Sequence, residues 1–260
     1  MKKINGNKIA QQIIVELKEQ AQPTKRLVAI LVGNNESSKS FLKRKQNIAQ
    51  ELGVDFQLRE FEQSITQEDL EGEIMRLSDD NSVGGIILQL PLPSHIDRSA
   101  VISRISLFKD VDNLTGEASV LSPAVSVIQD ILKEVSFSLL DKTVAVVGSE
   151  GFLIGQPVVR WLGDQSLKIS GLEIKLADIK TKDLRSFVKD ADLVISGVGK
   201  KNLIDSNWLQ EGVLVIDFGY PADLNLNSEQ LSFYTPTPGG TGPILVVELF
   251  RNFYKLFSLR

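Results

Sequence analysis

The chain of 260 residues has no cysteine, a single histidine, two tryptophans and no apolar run long enough to cross a membrane. The missing cysteine excludes a disulfide, a thiolate nucleophile and a zinc cluster held by thiolates. The lone histidine, His95, follows a proline-rich turn and reads as a loop residue, because a metal site needs several converging ligands; no metal is expected. Membrane-spanning helices need about 20 apolar residues, and the opening Met1-Lys-Lys-Ile-Asn-Gly is too polar for a signal peptide. A cytoplasmic protein with no membrane partner is the expectation. Excess positive charge is absent too: 29 basic against 33 acidic side chains leave a net charge of −4. That gives no general attraction to nucleic acid, so small molecules or a second copy of the chain are the expected partners.

What is present is an ordinary globular composition, 42% hydrophobic and 24% charged, with length enough for two domains that each bury a core. Helical spacing of Ile9, Ala10, Ile13, Ile14 and Leu17 predicts a first helix ending before Pro23. A strand over Leu27 to Val32 follows, then Gly33-Asn34-Asn35, with Ser37 or Ser38 placed to cap a second helix that Gly53 ends. Val54, Phe56 and Leu58 alternate as a strand. Thr66-Gln-Glu-Asp69 resembles a capping box and opens a helix carrying Leu70, Ile74, Met75 and Leu77. Gly85 to Leu90 reads as a strand buried on both faces, and a short helix covers Ala100 to Ile105. Pro123 starts a helix into the second half, where strands at Thr143 to Val147, Leu172 to Leu176, Leu193 to Ser196 and Val213 to Asp217 alternate with helices. This alternation predicts an α/β fold with a doubly wound parallel sheet.

The centre of that second half is Thr143-Val-Ala-Val-Val-Gly-Ser-Glu-Gly-Phe-Leu-Ile-Gly-Gln-Pro157: strand, glycine turn, helix. Such a turn brings backbone N–H groups and a helix N-terminus to a pyrophosphate. Gly148, Gly151 and Gly155 do not fit G-x-G-x-x-G, so a glycine-rich turn that binds nothing stands beside the dinucleotide reading.

Three positions in the first half attract attention. On the second helix Phe41, Lys45, Ile48, Ala49 and Leu52 share one face, which sets Lys45 inside an apolar arc. Its ammonium either snorkels to the edge or enters a cleft where desolvation lowers its pKa. Gln89 ends a buried strand, where α/β sheets place ligand contacts; an amide satisfied by loop backbone is the competing reading. Lys109-Asp-Val-Asp112 alone reads as a solvated turn. Near the end, Thr235-Pro-Thr-Pro-Gly-Gly-Thr-Gly-Pro243 is a stiff loop whose glycines let backbone approach a ligand, opening a last helix from Ile244 to Leu256.

Val32-Gly-Asn-Asn with Ser38 and Lys45, Gln89-Leu-Pro-Leu-Pro93, Lys109-Asp-Val-Asp112 and the Thr235 to Pro243 loop, in that order along nearly the whole chain, resemble the bifunctional methylenetetrahydrofolate dehydrogenase/methenyltetrahydrofolate cyclohydrolase family. The resemblance implies a catalytic folate domain over 1–120, rejoined by a C-terminal helix 244–260, and a Rossmann-type dinucleotide-binding domain over 121–243, with a folate cleft between them. It implies a homodimer that oxidises 5,10-methylenetetrahydrofolate with NADP and hydrolyses the methenyl product to 10-formyltetrahydrofolate. Lys45 matches the family's catalytic lysine, Gln89 its glutamine partner and Asp112 the aspartate that holds the pterin. Phe41, Leu88, Leu90, Pro238, Gly239, Gly240 and Gly242 fall at substrate-binding positions, and Gly148, Ser149, Glu150, Gly155, Asp178 and Tyr220 at cofactor-binding ones.

The chain departs from the family at several points. Phe41 replaces a tyrosine four residues before the lysine, Val120-Leu-Ser-Pro123 replaces Pro-Cys-Thr-Pro after a shortened segment, and no Gly-Asp-Val is recognisable in Ala222 to Leu231. Gly148-Ser149-Glu150 replaces Gly-Arg-Ser, and Asp178-Ile179 replaces His-Ser. Groups that could hold a 2′-phosphate thus give way to acids, which favours NAD over NADP, although Asp178 lies 30 residues beyond Gly148 where the usual separation is about 20. A solvated aspartate at the strand end is the competing reading there. Two alternatives complete the expectations: a non-catalytic or single-activity paralogue, and, more distantly, another two-domain dehydrogenase such as one acting on shikimate.

Overall fold

The computed structural model describes residues 1–178 and 180–259. Ile179, paired above with Asp178, and Arg260, the last residue of the expected joining helix, lie outside the described residues. In chain order the elements are β1 (Lys2–Lys3), α1 (Gly6–Lys18), β2 (Arg26–Val32), α2 (Glu36–Leu52), β3 (Phe56–Phe61), α3 (Gln67–Asp79), β4 (Val83–Leu88), α4 (Arg98–Ile102), α5 (Pro123–Glu134), β5 (Thr143–Val147), α6 (Gly155–Ser166), β6 (Glu173–Ala177), α7 (Leu184–Val188), β7 (Leu193–Ser196), β8 (Ile204–Asp205), β9 (Leu214–Asp217), β10 (Leu224–Asn225), β11 (Phe233–Tyr234) and α8 (Thr241–Ser258). Two compact units divide the chain: Gln11–Pro123 with Val246–Arg260, and Met1–Ala10 with Ala124–Leu245.

The first unit is built on a parallel sheet of order β3-β2-β4. Its middle strand β2 buries every residue from Leu27 to Val32, and β4 is buried along its whole length, as continuous apolar runs between covering layers should be. Asn35 caps α2, its Oδ1 accepting the Ser38 N–H at 2.9 Å. The expected serine caps are thereby corrected: the asparagine carbonyl reaches the amide three residues on, and Ser38 is buried inside the first turn. Thr66 caps α3 as its spacing predicts, accepting from the Asp69 N–H. Burial on that helix follows Leu70, Ile74 and Leu77, while Met75, one residue off the stripe, is 46% exposed. The end of α8 closes this core. Asn252 Nδ2 donates to the Val111 and Leu121 carbonyls, both at 2.8 Å, and a Cβ on Gly85 would lie 2.8 Å from the Phe253 ring.

The second unit carries a sheet parallel throughout, of order β1-β11-β9-β7-β5-β6. The chain steps from β5 out to β6 and returns across β5 to β7, so the carboxyl end of β5 is the switch point where open α/β sheets bind ligands. Residues 1–10, placed with the first domain by sequence, join this unit: Lys2 and Lys3 pair with Phe233 and Tyr234 at the sheet edge. Two lysines carry no strand pattern, which is why the pairing is invisible in the sequence. A separate parallel ladder joins β8 and β10. Among the described residues no helix is long and apolar enough to cross a membrane, and no group of three or more His, Cys, Asp or Glu could hold a metal ion.

Candidate active site

In the first unit three segments bring Lys45, Gln89 and Asp112 into one polar cluster. On α2 the buried residues are Ser38, Leu42, Ala49 and Leu52, and Lys45 lies on the same stripe, half-buried beside half-buried Phe41 and Ile48. Its ammonium does not reach out to bulk water. Nζ donates to Gln89 Oε1 at 3.1 Å, and burial pulls the ammonium below the usual lysine range while the Asp112 carboxylate pulls it back up. Asp112 is held above the usual carboxylate range, first by burial and also by Asp110, with Lys45 opposing. A lysine whose ammonium is disfavoured beside an acid whose carboxylate is disfavoured is a pair suited to proton transfer.

Gln89 sits one residue past β4, where its backbone N–H still donates to the Ile30 carbonyl at 2.9 Å. Its amide is satisfied in part by loop backbone, as the competing reading has it. Nε2 donates to the Leu90 carbonyl at 2.9 Å, and that bond turns Oε1 toward Lys45. Leu88 is 2% exposed, its side chain committed to the core, whereas Leu90 is half-buried.

The solvated-turn reading of Lys109 to Asp112 is overturned. Lys109 is 6% and Asp110 0% exposed. Lys109 Nζ donates to the Leu77 and Asp80 carbonyls at the end of α3, at 3.0 and 2.8 Å, a cation placed at a helix C-terminus. Asp110 accepts from the Leu114 N–H and from both the N–H and hydroxyl of Thr115. The Lys109 carbonyl accepts from Ile86 N–H at 2.7 Å, fastening the segment along β4. These bonds leave Asp112 as the acid of the motif whose carboxylate no described residue hydrogen-bonds.

In the second unit the glycine turn follows β5. Gly148 takes φ +84°, open to glycine at little cost, and the Gly148 and Ser149 N–H groups donate to the Ala177 carbonyl of β6. A Cβ on Gly155 would stand 2.0 Å from the Gly148 carbonyl oxygen, so α6 starts tight against the turn. No side chain caps α6 at Ile154. A close-wound glycine turn before an uncapped helix start, at the switch point, fits a pyrophosphate. Glu150 is exposed and Ser149 buried. Asp178 leaves the tip of β6, where Oδ1 accepts the Lys180 N–H at 2.7 Å. The Thr181 hydroxyl stands 3.4 Å from the same oxygen. Tyr220, 71% exposed, follows β9.

Sequence reading missed two buried acids beside this turn. Asp217 ends β9 and accepts from the Gly219 and Leu224 N–H groups; burial, opposed by these bonds and aided by Asp223, pushes its carboxyl up to about 6. Asp223, fully buried, accepts from Ser196 Oγ, Val198 N and Lys200 N. Ala222-Asp223-Leu224 stands where no Gly-Asp-Val was recognisable, and its aspartate is the one signal the sequence offered. The loop from Thr235 is tied to the same place. The Thr241 hydroxyl donates to the Asp217 carbonyl at 3.0 Å, and Gly6 N–H donates to the Gly239 carbonyl at 2.9 Å. Here Pro238 is exposed, Gly239 half-buried and Gly240 buried, with Gly242 inside the first turn of α8.

Residues 4–112 match the catalytic domain of tetrahydrofolate dehydrogenase/cyclohydrolase, and residues 122–260 match its NAD(P)-binding domain. The bifunctional protein FolD of Clostridium botulinum is 31% identical over 274 residues, covering 96% of this chain and 95% of its own. The crystal structure of the bifunctional FolD dehydrogenase/cyclohydrolase from Campylobacter jejuni matches with a TM-score of 0.92 at 31% identity, over 100% of this chain and 99% of that one. The Trypanosoma brucei enzyme, solved with NADP and an inhibitor, matches with a TM-score of 0.90 at 27% identity, over 98% and 97%.

Proposed function

This chain belongs to the tetrahydrofolate dehydrogenase/cyclohydrolase family, and from that premise we infer that it interconverts one-carbon folates. It oxidises 5,10-methylenetetrahydrofolate to 5,10-methenyltetrahydrofolate and hydrolyses that product to 10-formyltetrahydrofolate. The single observation that carries the assignment of residues is the Lys45 to Gln89 hydrogen bond at 3.1 Å, made by an ammonium that burial has already drawn down.

In hydrolysis, water adds to the methenyl carbon while neutral Lys45 takes the water proton. The ammonium so formed returns a proton to N5 as the carbon–nitrogen bond breaks, and the hydroxyl proton of the adduct leaves to solvent. Gln89 holds the Lys45 amine in place, and Asp112, whose carboxylate no described residue hydrogen-bonds, is available to the polar pterin edge. Phe41 and Leu90 offer apolar surface to the ring. Hydride transfer asks mainly for alignment of the folate carbon with its acceptor, a task for binding surfaces rather than for a general base. The division of labour follows the two units, Gln11–Pro123 with Val246–Arg260 for folate chemistry and Met1–Ala10 with Ala124–Leu245 for the dinucleotide.

NAD or NADP, when bound, supplies the hydride acceptor. Gly155, at the start of α6, would hold its pyrophosphate, with Gly148 and Ser149 shaping the turn through their bonds to Ala177, Asp178 at a ribose hydroxyl, and Tyr220 at the far end. NAD is the preferred dinucleotide: Glu150 and Asp178 put negative charge where a 2′-phosphate would need positive charge. The enzyme works as a homodimer in the cytoplasm. The direct test is the absorbance decay of 5,10-methenyltetrahydrofolate with wild-type protein and with Lys45→Met. Decay that falls to the spontaneous rate in the variant supports the assignment; equal decay in both removes Lys45 from the chemistry.

A further inference from the structure

Asp223 is buried, acidic and outside the machinery described so far, yet one of its carboxylate oxygens accepts from Ser196 Oγ at 2.6 Å and Val198 N at 2.8 Å, and the other from Lys200 N at 2.7 Å. Those donors bracket the Gly197-Val198-Gly199 loop that leaves the carboxyl end of β7. The loop in turn supports the glycine turn: a Cβ on Gly148 would meet Val198 Cγ2 at 2.9 Å and the Gly197 backbone at 3.5 Å, and a Cβ on Gly151 would meet the Gly197 carbonyl oxygen at 3.9 Å. Asp223 also abuts the loop after β9, since a Cβ on Gly219 would stand 2.6 Å from its carboxyl carbon. One carboxylate therefore fixes loops at the ends of β7 and β9 and, through Val198, the turn after β5. With Asp178 at the end of β6 on one side of that turn, the rest of a dinucleotide must extend over β7 and β9 on the other.

We propose that Asp223 is a positioning residue for the dinucleotide: it fixes the 197–200 loop as the floor for the end of the cofactor opposite Asp178. The proposal rests on the dehydrogenase reading given above. Hydrogen bonds to a charged acceptor are stronger than neutral ones, so their loss frees the loop and weakens binding without touching the Lys45 cluster.

The test is calorimetric titration of NAD and NADP into the wild type, Asp223→Asn, Ser196→Ala and Val194→Ala, with melting temperature and methenyl hydrolysis measured alongside. Val194 is a buried β7 residue that serves as a control for general destabilisation. Asp223→Asn, left with one acceptor oxygen, should weaken binding by about tenfold or more, and Ser196→Ala by a few-fold, with charged hydrogen bonds setting the scale. Val194→Ala should lower the melting temperature while leaving the Kd unchanged, and hydrolysis, which uses no dinucleotide, should persist in all of them. If Asp223→Asn does not fold, Ser196→Ala against Val194→Ala decides. Unweakened binding in Asp223→Asn or in a folded Ser196→Ala, or equal weakening in Val194→Ala, overturns the assignment of Asp223 alone. No binding of either dinucleotide by the wild type overturns the dehydrogenase reading and this assignment with it.

Discussion

The Lys45 cluster and the glycine turn are made of different materials. In the first, three side chains from α2, the end of β4 and the segment beyond Lys109 converge, and the chemistry depends on what those side chains are: an amine, an amide and an acid. In the second, the shape is made by backbone, with carbonyls of Gly148 and Ala177 and a helix start at Gly155. A side-chain site fails when one functional group changes. A backbone site survives a change of side chain where a Cβ is already accommodated and fails where a new Cβ enters. That contrast explains how Ser149 and Glu150 can replace an arginine and a serine while the turn keeps the form that fits a dinucleotide.

The largest effect is expected at Gly155. An alanine there would place its Cβ 2.0 Å from the Gly148 carbonyl oxygen and 2.6 Å from that of Ser149, both backbone atoms that can move only by opening the turn. Gly155→Ala should therefore lose dinucleotide binding by about 100-fold or more, a cost of a few kcal/mol being usual for overpacking against a rigid neighbour. Methenyl hydrolysis should continue. Calorimetry and absorbance decay on the same preparation check both halves, and normal NAD binding in the variant would show that the turn is softer than its backbone contacts imply.

A second prediction concerns the acid that ends β9. Asp217 has its carboxyl raised from 3.8 to about 6, so between those values the folded state binds more protons than the unfolded one. The resulting stability is fully present below about pH 4 and is lost as pH rises through about 6. At roughly 1.4 kcal/mol per pKa unit the effect is on the order of 3 kcal/mol. Against Asp217→Asn, the wild type should gain in relative melting temperature as pH falls from 7 to 4. A pH-independent difference would contradict the raised carboxyl. Reading the difference matters because Glu71, Glu73 and Asp80, whose carboxyls are lowered by hydrogen bonds, contribute the opposite slope in both proteins.

Smaller still is the effect at Asp178. One of its oxygens is engaged by Lys180 and Thr181, leaving the other for a ribose hydroxyl. Asp178→Ala should weaken NAD by about tenfold, as losing a hydrogen bond to a charged group does, and weaken NADP less or not at all. Equal losses for both would take Asp178 out of dinucleotide selection.

How much was legible in advance follows from the same contrast. Lys45 stood out because a cation interrupted an apolar helical stripe, and Gln89 because it ended a strand otherwise apolar. Asp112 could be singled out only through family resemblance. Its local sequence is polar, and what fastens the segment that carries it, Lys109 reaching the carbonyls of Leu77 and Asp80, is a contact 29 to 32 residues away. Asp223 was illegible for the same reason, its donors at Ser196, Val198 and Lys200 belonging to another loop. The long strands and helices were readable from apolar period, whereas β1, β8, β10 and β11 have two residues each, too few to carry any period, and exist through their neighbours.

The finest test lies at Phe41, on the exposed edge of the Lys45 stripe. It stands one helical turn before the lysine, half-buried, with the Arg44 guanidinium 5.6 Å from its ring centre. Phe41→Tyr keeps the ring and adds a hydroxyl at a half-exposed position, where it need not be desolvated. If Lys45 and Gln89 suffice for proton transfer, the hydroxyl changes the hydrolysis rate by no more than a few-fold, within the scale of one neutral hydrogen bond. In both proteins the rate should then rise with pH until the lowered Lys45 amine is neutral, with the same midpoint. A rate increase of 100-fold or more, which is the scale of a general acid or base, would mean that the amine and amide alone are an incomplete site and that the missing hydroxyl limits this chain.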